Sequence, residues 1–195
     1  MACSPDAGSS SAKTSNLIIN VEDLVNCNSV EKQRLEFKAS WNDGPTKYQI
    51  IKTICAFAND YYNDNGGYIV IGVRENKDCD NEAQIELPPL GIERGKAETV
   101  QKQILGACKS LICPSYTPIV SPEELSGKLV LVIWAQASND RPHKARKEKK
   151  GEEFYFIRKG PETVQAKPCE IKILMENAAK IPFDDRRVYH GEFFL

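Results

Sequence analysis

The sequence predicts an α+β fold in a single domain, a mixed β-sheet packed with about three helices. Three observations predict it. Apolar, β-branched runs at 68–73 and 128–135 read as buried strands. Apolar side chains recur at helical spacing over 50–62, 96–111 and 171–181. The elements follow in the order β-α-β-α-β-β-α, without the regular alternation of a parallel βαβ protein. A chain of 195 residues suits one domain. At that size folding buries roughly 70% of the surface the unfolded chain exposes, so no disulfide framework is required.

Taken in order, residues 1–16 are rich in Ser and small residues, have no periodicity and read as a disordered tail. The folded region is expected over 17–186, with 187–195 as a second tail. Leu17 to Ile19 is a short apolar run, and Val21 to Val25 suits one or two helical turns. Arg34 to Lys38 alternates as a half-buried strand does. Leu35 and Phe37 would face the core, and Arg34, Glu36 and Lys38 the other side. Pro45 suits the first turn of a helix capped by Asp43 or Gly44. Its apolar face runs from Ile50 to Tyr62, and Asn65-Gly66-Gly67 is expected to end it. Tyr68 to Val73 reads as a central strand, in which Gly72 marks a bulge or a close backbone approach. Residues 76–95 look like a long connection before a helix at 96–111, which Pro114 stops. Thr117 to Val120 suits a strand, and Lys128 to Ala135 a buried one. After them come a basic loop, a strand from Phe154 to Arg158 and a turn at Gly160-Pro161. Pro168 opens a last helix, which Pro182 closes.

Composition excludes several classes. Hydrophobic residues are 41% and charged residues 27%, an ordinary globular balance. A formal net charge of -1 excludes a uniformly basic coat protein and an acidic solvating tail. Mean hydropathy is -0.43, and the apolar run Leu129 to Ala135 is far below the ~18 residues of a spanning helix, so no membrane role is expected. Seven cysteines, an odd number with no CxxC, and only two histidines build neither a disulfide scaffold nor a zinc finger. Reduced thiols in an intracellular compartment, cytoplasmic or nuclear, are expected. Cys55 and Cys108 fall on apolar helix faces and read as small buried hydrophobes.

Two constellations bear on chemistry. Glu31 and Glu36, with Glu75 beyond the second strand, could ligate a hard divalent cation such as Mg²⁺ or Mn²⁺ that activates water. Five residues along one strand put Glu31 and Glu36 on opposite faces, so this requires a turn between them. The alternative is a solvated strand face of alternating charge. The second constellation is the segment 141–150. Arg141, Lys144, Arg146, Lys147, Lys149 and Lys150 stand against Glu148, a local +5 within a remainder of -6. Arg158 and Lys159 extend it. Such a segment suits phosphate contact, and an inert solvated hairpin explains it equally. Six phosphate contacts would give a log K against log salt slope of about -5 on duplex. No Walker loop, GxSxG or HExxH is present. Tyr61, Tyr62 and Tyr68 suit base stacking or core packing alike.

Several stretches in order resemble the Schlafen-type, Alba-like DNA-binding domain. They are Glu31-Lys-Gln-Arg-Leu-Glu36-Phe37-Lys38, Ile54-Cys-Ala-Phe57-Ala58-Asn59 and Gly66-Gly67-Tyr-Ile-Val-Ile-Gly72-Val73. Further on come Pro114-Ser-Tyr116, Gly127 to Trp134, Arg141-Pro142-His143-Lys144, Tyr155 to Gly160 and Ile181-Pro182-Phe183-Asp184-Asp185-Arg186. The resemblance spans about residues 17–190.

It implies an α+β domain described as DNA-binding, found in helicase-related bacterial transcriptional regulators, in divergent ATPases and in animal Schlafen proteins. Some Schlafen proteins cleave structured RNA with three acidic residues. Glu31 and Glu36 match two of these. The third position, commonly Asp-Asp, is Arg74-Glu75 here. That nuclease arrangement pairs two domains, which a homodimer could supply. The expected function is a regulatory nucleic-acid-binding domain for DNA or RNA, using Lys38, Arg141, Lys144, Arg146, Lys147, Lys149, Lys150, Arg158 and Lys159. The alternatives are a Mg- or Mn-dependent endoribonuclease using Glu31, Glu36 and Glu75, and a divergent ATP-binding regulator.

Overall fold

The two apolar runs become neighbouring strands because both of their faces find a partner. In the structure, a computed structural model describing residues 20–26, 32–42, 44–75, 85–148 and 151–179, Gly67–Ile71 forms β2 and Lys128–Ala135 forms β5. They pair antiparallel, Tyr68 opposite Trp134 and Ile71 opposite Leu131. Leu35–Lys38 (β1) joins β2 in parallel, with Glu36 opposite Ile69. Ile119–Leu125 (β4) closes the other edge, giving a mixed sheet in the order β1-β2-β5-β4.

Alternate residues of this sheet enter two separate cores, which is why its central strands read as continuous apolar runs. Ile69, Ile71, Leu131 and Ile133 meet two helices, Pro45–Asn59 (α2) and Arg94–Leu111 (α3). Tyr68, Val70, Val132 and Trp134 face the opposite way, with Val21, Leu24 and Val25 of the short helix α1, Val21–Asn26.

A second sheet covers the far side of α2. It runs in the order β3-β6-β7-β8 from Ile112–Cys113, Lys144–Arg146, Glu153–Lys159 and Glu162–Gln165, all antiparallel. Ala145 and Phe156 point toward α2. Ile157 points outward to Leu174 of α4, Pro168–Ala179. Helix α2 therefore lies between the sheets, buried on every side from Ile50 to Asn59 apart from Lys52.

The α+β class holds, with the strands divided between two sheets. Four local expectations change. Helix α2 ends at Asn59, before Gly66. Asp60 takes the left-handed cap (φ 45°), and its carboxylate accepts from the N–H groups of Asp64 and Gly66. The basic segment is not all loop, because Lys144–Arg146 is a paired strand. Strand β4 starts at Ile119 and continues to Leu125 through the exposed Pro122. Strand β8 is an additional element that its polar sequence did not announce. The close approach at Gly72 is present: at φ 101°, a Cβ there would lie 3.2 Å from the Gly91 backbone. Both tails, Leu17 to Ile19, Asp43 and the segment beyond 179 lie outside the described residues.

Candidate nucleic-acid interface

Glu36 and Lys38 alternate with the core-facing Leu35 and Phe37, so β1 aims them toward the second sheet. There Glu36 meets Arg158 of β7, Oε2 to Nη1 at 2.9 Å, while its Oε1 takes Lys38 Nζ at 2.5 Å. Arg158 is only 6% exposed. Its Nε donates to the Gln33 carbonyl at 3.1 Å, its Nη1 also to Thr163 Oγ1 at 3.0 Å, and the guanidinium lies 5.1 Å from the centre of the Phe57 ring. A buried charge needs this many partners, and here they tie the 3₁₀ turn Lys32–Arg34, β1 and β8 to β7.

Of the three candidate carboxylates, Glu31 lies outside the described residues. Glu75 is exposed, in an isolated bridge to Ile85. Its neighbour Arg74 sits 3.9 Å from Glu86. Among the described residues no three His, Cys, Asp or Glu side chains gather as a metal site would require. Both Glu36 oxygens are engaged by cations of the chain itself.

The basic candidates divide by partner. Arg141 runs inward to Asp60 Oδ2 at 3.2 Å, and Arg146 pairs with Glu153 at 3.2 Å. Lys159 pairs with Glu170. That hydrogen bond raises the Lys159 pKa and lowers that of Glu170, which also accepts from the Lys167 N–H. Lys38 and Arg158 share Glu36. Lys144 and Lys147 differ: neither has a carboxylate partner among the described residues. Lys144 lies over Tyr155 at 5.1 Å and Lys147 over Phe154 at 4.4 Å, within cation–π range. Lys149 and Lys150 lie outside the described residues.

Sequence reasoning missed a third lysine of this kind. Lys52 of α2 lies 5.9 Å from the Phe156 ring, again without a carboxylate partner among the described residues. Burial lowers its pKa first and the Lys147 charge lowers it further. The two ammonium groups therefore feel each other. No one-dimensional signal joins positions so far apart in sequence. Their meeting follows from Phe154 and Phe156 turning the same face of β7 toward α2. Strand β3 pairs β6 only at Lys144 and Ala145, so Lys147 projects beyond that pairing.

Cys55 and Cys108 are buried, as their helix positions predict. Burial pushes the Cys108 thiol up to about 12, and Cys55 is raised too. The Cys55 Sγ donates to the His143 carbonyl at 3.4 Å, not to its ring. The His143 Nδ1 bonds the Pro114 carbonyl at 2.8 Å. Neither of these two thiols is activated.

Where α2 ends, a cleft open to solvent is lined by Arg34, Phe57, Tyr61, Tyr62, Asp64 and Arg158, among others. Tyr62 is 51% exposed and packs edge-to-face on Tyr61, centroids 5.0 Å apart. Arg34 Nε donates to the Gly66 carbonyl at 3.0 Å, and Gln33 to Asp64 at 3.3 Å. Tyr68, the third tyrosine singled out, is instead a core residue stacked on Trp134.

A family model described as Schlafen, AlbA_2 matches residues 31–167. Among solved structures, the chain is similar to the N-terminal domain of an ATP-dependent DNA helicase RecG-related protein from Nitrosomonas europaea. Identity is 23%, coverage is 73% of this chain and 87% of that one, and the TM-score is 0.50. A second, more distant likeness is to the DIP2311 protein from Corynebacterium diphtheriae, at 16% identity and a TM-score of 0.45. It covers 69% of this chain but only 22% of that one. No curated protein matches the sequence. Among the described residues no helix is long and apolar enough to cross a membrane.

Proposed function

This chain belongs to the Schlafen AlbA_2 family, and from that premise we propose that it is a regulatory nucleic-acid-binding domain whose phosphate contacts centre on Lys52 and Lys147, with Lys144 on the other face of the same sheet as a third contact. The observation that carries the reading is a pair of lysines on one face of the second sheet. Lys52 over Phe156 and Lys147 over Phe154 lie on the side of β7 that meets α2, while Lys144 over Tyr155 lies on the other side, and none of the three has a carboxylate counter-ion among the described residues. Like charges held together without neutralisation favour an external anion, and a phosphate backbone supplies anions in series. Such contacts position a nucleic acid and carry little sequence information. Arg141, Arg146, Arg158, Lys159 and Lys38 are already paired, so they support the framework and contribute less to phosphate.

Binding to duplex DNA and to structured RNA at low salt, for the wild type and for the Lys52→Gln/Lys147→Gln pair, tests this. Loss of most affinity in the double variant is expected. An unchanged affinity rejects the assignment.

Metal-dependent cleavage through Glu31, Glu36 and Glu75 with Mg²⁺ or Mn²⁺ has less support, since Lys38 and Arg158 already occupy Glu36. Incubation of purified protein with transfer RNA and Mn²⁺ tests that reading, and cleavage that disappears in Glu36→Ala would restore it.

A further inference from the structure

We infer that the cleft at the end of α2 receives a single unpaired nucleobase, so that the protein prefers single-stranded or looped nucleic acid to duplex. The inference rests on the nucleic-acid reading above and deepens it.

The chemistry of the walls decides the occupant. The cleft opens to solvent beside an exposed tyrosine ring, so a flat group can enter it edgewise from outside. Two lining guanidinium groups, Arg34 and Arg158, are matched by two carboxylates, Asp60 and Asp64. Arg158 shares Glu36 with Lys38, Asp60 pairs with Arg141, and Arg34 stands against Asp64, so most of the charge around the cleft is compensated within the fold. A flat, neutral, hydrogen-bonding group can meet these walls while its own charged backbone stays outside.

The surfaces are planar as well. Tyr61 and Tyr62 meet edge-to-face, and Tyr62 keeps half of its surface exposed. An exposed aromatic at a cleft mouth is a stacking platform for an unstacked base, and arginine planes serve the same purpose. Polar edges are present too. The Arg34 Nε is spent on Gly66, while Asp64 and the remaining Arg34 donors border the space. A base held in duplex could not reach them, because its flat face and its pairing edge are both covered.

The experiment compares a short single-stranded oligonucleotide with the duplex of the same sequence, each against wild type, Tyr62→Ala, Tyr62→Phe and Lys147→Gln. A 2-aminopurine in the single strand reports stacking by its fluorescence. Tyr62 is exposed, so its replacement leaves the fold intact. Loss of one base stack should weaken single-strand binding roughly five- to hundred-fold in Tyr62→Ala, with the duplex unaffected. Tyr62→Phe should keep both the affinity and the quenching. Lys147→Gln should weaken both ligands. Equal single-strand affinity in Tyr62→Ala and wild type overturns the cleft assignment and leaves the phosphate site standing. No binding of either ligand by the wild type overturns both.

Discussion

Asn59 shows how much one side chain can fix. Fully buried at the last turn of α2, it donates Nδ2 to the carbonyls of His143 and Phe156, at 3.0 and 2.9 Å. Its Oδ1 accepts the His143 N–H at 2.6 Å. It thereby satisfies three backbone groups on two chain segments. Asn59→Ala should cost about 3 kcal/mol or more, since each orphaned buried group costs roughly 1–3 kcal/mol. A lowered urea midpoint at unchanged m-value would show it. The neighbouring His143 sets a pH dependence. Burial lowers its pKa below the ordinary 6.5, outweighing the Pro114 carbonyl and Asp140, which raise it. The folded state therefore binds fewer protons than the unfolded one just below that value. Its contribution to stability is complete above about pH 6.5 and is lost as pH falls toward the folded value. Denaturant titrations at pH 7 and pH 5 should show this loss, and His143→Leu should remove that part of the slope.

At the scale of elements, the junction of α2 and β2 is the tightest fit. A Cβ on Gly67 would lie 2.4 Å from the Phe57 ring, and one on Gly66 would lie 2.0 Å from the Ala135 carbonyl at a backbone φ of +78°. Gly67→Ala must displace Phe57, the ring beneath Arg158, so it should cost about 1–3 kcal/mol, the usual range for overpacking, read as a drop in Tm. The Gly pair thus serves contact between elements. Capping passes to Asp60, because its carboxylate bonds the Asp64 and Gly66 N–H groups and offsets the cost of a left-handed non-glycine residue. Period-two alternation was present in Lys144-Ala145-Arg146, yet three residues amid charge do not announce a strand. What makes them one is Ala145 entering the α2 core beside Phe156. The mostly polar β8 offers one apolar residue, Val164, which is too little to announce a strand; Thr163 is held by Arg158 and by Thr53 Oγ1 at 2.9 Å.

For the molecule as a whole, the division of charge sets the salt dependence expected of the proposed nucleic-acid contact. A basic segment acting as one unit would give a salt slope near -5 on duplex. With Lys52, Lys144 and Lys147 as the contacts, about -2.7 is expected at -0.9 per phosphate. A titration of duplex binding against salt separates the two values, and the Lys52→Gln/Lys147→Gln pair should bring the slope to about -0.9.

The sequence alone determined the α+β class, the two buried strands, the long helices and the family. Each of these depends on local periodicity or on motifs read in order, which one dimension preserves. Tertiary structure alone decided which charges are paired within the fold. Arg158 reads as one more member of a basic segment until Glu36, 122 residues away, is seen to pair with it. Lys52 reads as an ordinary helix-surface residue until β7 places Lys147 beside it. Ion pairing falls off over a few ångströms of space, and separation along the chain carries no record of that distance.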